Sequence, residues 1–216
     1  MQVKFSRLVL SSASPRRREL LAQLDVAFET RAADIDETKF AEENVDAYVL
    51  RMARSKASAV FSGEPAALQT ESVYLAGDTV VALDDRVFGK PADQDEAMTM
   101  LRALSGREHQ VYSGLALMAK HSQWEAPATM SCLTATQVQF RELSEQDIKR
   151  YCQTGEPMDK AGAYAIQDGA AAFVVSIHGS YSGVVGLPLT QTIDLFSEYS
   201  DRFKAIFDFG AGLSFC

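Results

Sequence analysis

Short apolar runs and amphipathic stretches alternate along this chain. Leu8-Val9-Leu10 is followed by the small residues Ser11, Ser12, Ala13 and Ser14, a pattern that predicts a strand running into a loop. Ser14-Pro15 then offers an N-cap and a proline at the first helical position, and Leu20, Leu21 and Leu24 recur at helical spacing. Val26 to Thr30 reads as a second short strand, and the acidic stretch AADIDETKFAEEN as a loop. VDAYVLRMARSKASAVF carries one apolar stripe, Val45, Tyr48, Val49, Met52 and Ala53, and predicts an amphipathic helix. Residues 62–72 read as a surface loop. VYLAGDTVVAL reads as a buried strand pair, or as one strand kinked at Gly77, with Asp84-Asp85 turning the chain. A helix follows from Asp93, with Glu96 completing a capping box and Gly106 stopping it. HQVYSGLALMA and TATQVQFREL read as strands, SEQDIKRYCQTG as a helix capped by Ser144, YAIQ and AAFVVSI as strands, and LTQTIDLFSEY as a last helix. The aromatic tail after Asp201 either docks on the body or forms an oligomer contact. Strands alternating with helices predict an α/β protein with a mixed sheet, a single domain over 1–216 or two small lobes.

Composition narrows the function. The formal net charge is -8 and the isoelectric point about 4.9, which argues against general nucleic-acid binding. An anionic ligand therefore needs a local positive pocket. No apolar stretch is long enough to span a bilayer, and the N-terminal apolar segment is too short for a secretory signal. Cys132, Cys152 and Cys216 are odd in number and far apart, matching neither a disulfide framework nor a metal site. A cytoplasmic location is the expectation.

Five features call for a chemical reason. Arg16, Arg17 and Arg18 fall in the first turn of a helix, where the dipole disfavours cations. They are either solvated or, with Ser12 and Ser14, they build an anion site at a helix start. Asp78 sits inside an apolar run, where a carboxylate is rarely left without a partner. It could bind a metal, act as a general base, or bond the backbone at a kink. Lys56 lies eleven residues after Val45, close to a whole number of helical turns, so it falls on the apolar stripe. It either snorkels outward or points into a polar pocket. Lys90 precedes a helix, and Asp36-Glu37 is a solvated pair or a ligand set for Mg²⁺. Together these are the requirements of phosphate chemistry. No Walker A sequence, G-x-S-x-G elbow or histidine cluster is present.

SSASPRRRELL, AGDTVVALDDRVFGKP, LRALSGREHQVYSGLAL and DKAGAYAIQDGAAAFVVSIHGSYSGVVGLPL resemble the Maf family of nucleotide pyrophosphatases, a family named for septum formation. The resemblance covers about residues 6–199, leaving the tail from 200 peripheral. It implies an elongated mixed sheet flanked by helices, similar to inosine triphosphate pyrophosphatases, with a cleft between two lobes. It further implies a cytoplasmic, often dimeric enzyme that uses Mg²⁺ or Mn²⁺ to hydrolyse a nucleoside triphosphate to the monophosphate and pyrophosphate. Asp78 matches the family's proton acceptor. Ser12 and Arg17 match its phosphate-binding segment, and Glu37, Lys56 and Lys90 the other polar pocket positions. Asp78 and Glu37 are the implied metal ligands. Arg16, Thr79 and Gln167 look like the subgroup that prefers dTTP and UTP. A glutamine amide carries a donor and an acceptor and can pair with the imide edge that thymine and uracil share. The alternatives are a non-catalytic nucleotide-binding regulator of cell division, or a pyrophosphatase for modified nucleotides such as 5-methyl-UTP. One departure is Ala76-Gly77 where the family often has Gly-Ala, an exchange next to Asp78.

Overall fold

The computed structural model describes residues 2–84 and 86–210. In chain order the elements are β1 (Val3–Phe5), β2 (Arg7–Ser11), α1 (Pro15–Ala22), β3 (Glu29–Arg31), α2 (Val45–Gly63), α3 (Ala66–Gln69), β4 (Ser72–Leu83) and β5 (Arg86–Phe88). They continue with α4 (Gln94–Leu104), β6 (Glu108–Ala119), β7 (Ala128–Phe140), α5 (Glu145–Gln153), β8 (Val174–His178), α6 (Tyr181–Val185), α7 (Leu189–Phe203) and β9 (Ala205–Phe207). A mixed sheet runs β3-β2-β4-β6-β7-β8, with β5 paired to β4, and β1 and β9 form a separate ribbon. The fold is mixed α/β, as the alternation of elements predicts.

The chain divides into two compact units. The first draws on the stretch ending at Asp78, residues 114–133 and the stretch beginning at Gly186; the second comprises Thr79–Ser113 and Thr134–Val185. In the first unit β2 runs parallel to both β3 and β4, with Leu10 opposite Leu75. Gly77-Asp78, midway along β4, thus lie just past the point where the chain leaves β2 through Ser11-Ser12. Helix α2 packs on this sheet through small side chains: Ala53 and Ala57 cluster with Ala76 and Ala116. At Gly114 a Cβ would lie 2.8 Å from Val49 Cγ1 and 2.9 Å from the Val49 carbonyl oxygen, so only glycine admits α2 this close. The second unit has its own core, in which Val81, Phe88, Met100, Leu101, Val138, Phe140 and Ile148 pack with Tyr164 and Phe173.

Local signals hold at several helix ends. Ser14 caps α1, its Oγ accepting from the Arg17 N–H, and Ser144 and Asp147 form a reciprocal capping box on α5. At α4 the Asp93 carboxylate accepts from the Glu96 N–H, but Glu96 reaches back to the Ala92 N–H rather than to the cap residue itself. VYLAGDTVVAL lies within one continuous twelve-residue strand, not a pair.

Three expectations need correction. YAIQ is not a strand: Gly162 and Ala163 adopt left-handed φ values of 69° and 59°, and the segment bends between 3₁₀ turns. Its apolar residues are buried in the second core, not paired in a ladder. In AAFVVSI, residues up to Phe173 belong to a 3₁₀ turn and β8 starts at Val174. The 62–72 loop contains α3. The aromatic tail docks as far as it is described: β9 pairs with β1 and Phe207 stacks on Phe5 at 6.0 Å between centroids. Cys216 lies outside the described residues.

Candidate active site

The site in the first unit is assembled from a loop, a helix and a strand. Lys56, on the face of α2 that carries Val49, Met52 and Ala53, is buried rather than snorkelling. The close approach of α2 to the sheet brings its Nζ to 2.7 Å from Asp78 Oδ1 on β4. The same ammonium lies 2.8 Å from Glu37 Oε1 on the loop between β3 and α2. Asp78 is 6% exposed and Lys56 9%, so the carboxylate's cost of leaving water is offset by an opposite charge in direct contact.

The loop carrying Glu37 has almost no regular structure, and α2 holds it. The Tyr48 hydroxyl donates to the Glu37 carbonyl oxygen at 2.9 Å. Arg51 forms a two-armed pair with Glu43, donates to the Thr38 carbonyl oxygen and sits 4.0 Å over the Phe40 ring. Burial, reinforced by the charges of Asp78 and Glu37, raises the Tyr48 pKa, which keeps the phenol a donor. Asp36 Oδ1 accepts from the Thr38 N–H, and Glu37 is the member of the acidic pair that forms an ion pair with Lys56. Neither Tyr48 nor Arg51 stands out in the sequence as part of a site. Their spacing on α2 fits an ordinary helix face, and no local pattern says that they grip a loop.

Arg17 resolves the first-turn arginines. Its Nε donates to the Gly186 carbonyl oxygen at 2.8 Å and its Nη1 to Ser12 Oγ at 3.4 Å. Burial lowers its pKa, Asp78 and Glu37 oppose that shift, and Arg16 adds to it. A guanidinium remains cationic under such a shift. The unfavourable dipole is thus answered by carboxylates from β4 and the loop, and by a main-chain oxygen from Gly186. Arg18 is exposed and, with Ser12, Ser14 and Thr30, lines a cavity of about 160 Å³ at the helix start. A Cβ at Gly77 would touch Arg17 Nε at 3.4 Å, so the Ala76-Gly77 order leaves room where the guanidinium passes β4.

Thr79, Lys90 and Gln167 belong to the second unit. Ser113 Oγ donates to the Gly183 carbonyl oxygen at 2.6 Å and lies 3.1 Å from Thr79 Oγ1, so the threonine is the donor of that pair. Lys90 is exposed, and the Gly89 carbonyl oxygen before it accepts from the Gly162 N–H at 3.0 Å. That bond sets the Lys90 turn against the segment leading to Gln167, which is also exposed.

Two carboxylates and an ammonium suit a hard divalent cation only in company. No group of three or more His, Cys, Asp or Glu side chains that could hold a metal occurs among the described residues. Lys56 already engages one oxygen each of Asp78 and Glu37. The donor chemistry fits Mg²⁺ or Mn²⁺, which take few protein carboxylates and complete their shell with water and substrate phosphates.

A sequestered carboxylate–lysine pair and an arginine at a helix start, set where the chain leaves β2, form an arrangement suited to an anionic ligand. The chain belongs to the Maf family: residues 7–199 match Maf-like protein. A Myxococcus xanthus protein named dTTP/UTP pyrophosphatase is 51% identical over 188 residues, which cover 87% of this chain and 90% of that one. Proteins of the same name from Pectobacterium atrosepticum and Salmonella typhimurium are 47% and 46% identical, over 90% and 89% of this chain and 94% and 93% of theirs. Among solved structures, the Staphylococcus aureus Ham1 protein aligns at a TM-score of 0.35 and 10% identity, over 78% of this chain and 91% of that one, a likeness too faint to bear on the fold. Among the described residues, no helix is long and apolar enough to cross a membrane.

Proposed function

We propose that this protein hydrolyses nucleoside triphosphates, dTTP and UTP foremost, to the monophosphate and pyrophosphate. The observation that carries the reading is the contact set of Lys56, Asp78 and Glu37, with Arg17 facing the same carboxylates. The names borne by relatives near 50% identity agree with it. Arg17 and Lys56 bind the triphosphate, with Ser12 orienting the arginine. Lys56 also holds Asp78 in place until phosphate oxygens compete for its ammonium. Asp78 takes a proton from a water that attacks the α-phosphorus; the bond from that phosphorus to the bridging oxygen breaks and pyrophosphate leaves. Asp78 and Glu37, together with substrate oxygens, would hold a divalent ion, which would supply charge neutralisation and polarise the phosphate. Lys90 adds charge on the polyphosphate, and Arg16 and Thr79 tune which nucleotide is accepted.

Gln167 selects the base. Its amide offers a donor and an acceptor to the imide edge of thymine or uracil, and held in the orientation that accepts from the imide N–H it sets its carbonyl oxygen against the N3 acceptor of cytosine. Pyrophosphate release from a panel of dTTP, UTP, CTP, ATP, GTP and 5-methyl-UTP, with Mg²⁺ or Mn²⁺ and with a chelator, tests the reading and its modified-nucleotide variant together. Asp78→Asn keeps the side chain's shape and removes its charge, and is expected to lower turnover of dTTP about 100-fold or more. Near-normal turnover by that variant would remove Asp78 from the mechanism. Nucleotide binding without any release of pyrophosphate would make the protein a non-catalytic regulator instead.

A further inference from the structure

The segment that bears Gln167 has no strand to stiffen it, yet it is fastened on both sides of the glutamine by one pair of side chains. Tyr151, buried on α5, donates its hydroxyl hydrogen to Glu156 Oε1 at 2.5 Å. The same hydroxyl oxygen accepts from the Ala165 N–H at 3.1 Å. The second carboxylate oxygen, Glu156 Oε2, accepts from the Gly169 N–H at 3.1 Å. The two clamped amides therefore lie two residues before and two residues after Gln167. Between them the Asp168 N–H donates to the Ala165 carbonyl oxygen at 3.2 Å, closing the turn. Gly169 lets this arrangement form: a Cβ there would meet Glu156 Oε2 at 3.1 Å and the Tyr151 ring at 3.3 Å. Glu156 is itself seated by the helix end, its N–H donating to Thr154 Oγ1, which in turn donates to the Tyr151 carbonyl oxygen. Burial, with the carboxylate beside it, raises the Tyr151 pKa, so the phenol stays a donor through neutral pH. Ile166 and Ala170 are buried on either side of the exposed residues 167–169, which leaves Gln167 projecting from an anchored base.

We infer that Tyr151 and Glu156 are positioning residues for base selection, fixing residues 165–169 so that the Gln167 amide is presented in one orientation. This rests on the reading above, in which Gln167 faces the base. A glutamine on a loose loop loses freedom on binding any base and discriminates poorly, whereas a pre-organised one does not meet that cost. The clamp thus acts on the choice between bases rather than on the chemical step.

The test uses the full chain and measures kcat and KM for dTTP and CTP. Tyr151→Phe removes the donor to Glu156 and the acceptor for Ala165. Glu156→Gln leaves one oxygen where there were two. Each variant is expected to lower the dTTP-to-CTP ratio of kcat/KM about fivefold, the size of one lost hydrogen bond. The loss falls on KM for dTTP, with kcat on CTP within twofold of the parent. Gln167→Ala is expected to lower the ratio about tenfold or more, and adding Tyr151→Phe to it should lower the ratio no further. An unchanged ratio in Gln167→Ala sinks the base-reading role and the clamp with it. A reduced ratio there, with Tyr151→Phe and Glu156→Gln within twofold of the parent or losing activity equally on both nucleotides, leaves base reading intact and reduces the clamp to scaffolding. Glu156→Gln is isosteric at a half-buried position, so it decides the matter alone if Tyr151→Phe does not fold.

Discussion

Replacing Lys56 with methionine keeps most of the side chain's length and removes the charge from between two carboxylates. With Nζ 2.7 Å from Asp78 Oδ1, the gross attraction at an effective dielectric near 20 is about 6 kcal/mol. Burial of both side chains, 11% and 9% exposed, takes back much of that. What remains when one partner of a buried pair is deleted is about 3–5 kcal/mol, because the other charge is left uncompensated. The Glu37 arm adds little: that side chain is 54% exposed, and an exposed pair is worth at most about 1 kcal/mol. Arg17 still faces Asp78 and softens the loss. Lys56→Met should therefore cost about 3 kcal/mol. Urea unfolding at pH 7 reads this as a lower midpoint with an unchanged m-value, and added salt should alter it little because the pair is buried. Adding Asp78→Asn to Lys56→Met removes the orphaned charge and should restore at least half of the loss, while Glu37→Gln alone should cost under about 1 kcal/mol. A Lys56→Met protein within about 0.5 kcal/mol of the parent, or a double variant as unstable as the single, would show that Lys56 and Asp78 are not paired in the folded protein.

Two further outcomes follow from the same packing. Gly114→Ala places a methyl against Val49 Cγ1 and the Val49 carbonyl oxygen, and main chain cannot yield as a side-chain tip can. It should cost about 1–3 kcal/mol and lower turnover as well, because the displaced helix carries Lys56; an unchanged melting temperature would contradict the close approach of α2. Burial lowers the His109 pKa from its ordinary 6.5 to about 4, since the ring is sealed between Tyr164 and Phe140. A folded pKa below the unfolded one gives stability that is complete above pH 6.5 and drains away as pH falls through 4, about 3 kcal/mol in all. His109→Gln should flatten that part of the stability–pH curve, and parallel curves for parent and variant between pH 6.5 and 4 would refute the assignment.

Much of the helical framework is legible in single residues. Ser14-Pro15, Ser144 with Asp147, and the stripe of α2 act within a few residues of chain, where capping and periodicity operate. The short ribbon of β1 and β9 is not legible, because neither three-residue strand has a pattern of its own and each exists through pairing with the other. YAIQ misleads for a related reason. Burial in the second core produces the same apolar run as a strand would, while the chain enters from left-handed backbone at Gly162 and Ala163 and turns back on itself between Ala165 and Asp168. In the site, Asp78 and the first-turn arginines announce themselves as local contradictions. Lys56 is ambiguous, since one helix position serves a snorkelling lysine and an inward one equally well. Tyr48 shows only as one position of an apolar stripe, and Arg51, Tyr151 and Glu156 carry no signal of a site.

The amino-acid order by itself determined which segments could be helices, where they begin, and which charged residues sit where local physics does not want them. Three-dimensional packing decided what answers those charges. Lys56 meets Asp78 across 22 residues of chain, and Arg17 meets Gly186 across 169. The physical reason is that capping and periodicity are short-ranged, whereas a buried charge must find its counter-charge wherever the packed backbone delivers one. Here the small residues at Ala53, Ala57, Ala76, Gly114 and Ala116 let α2 lie close enough to the sheet to make that delivery.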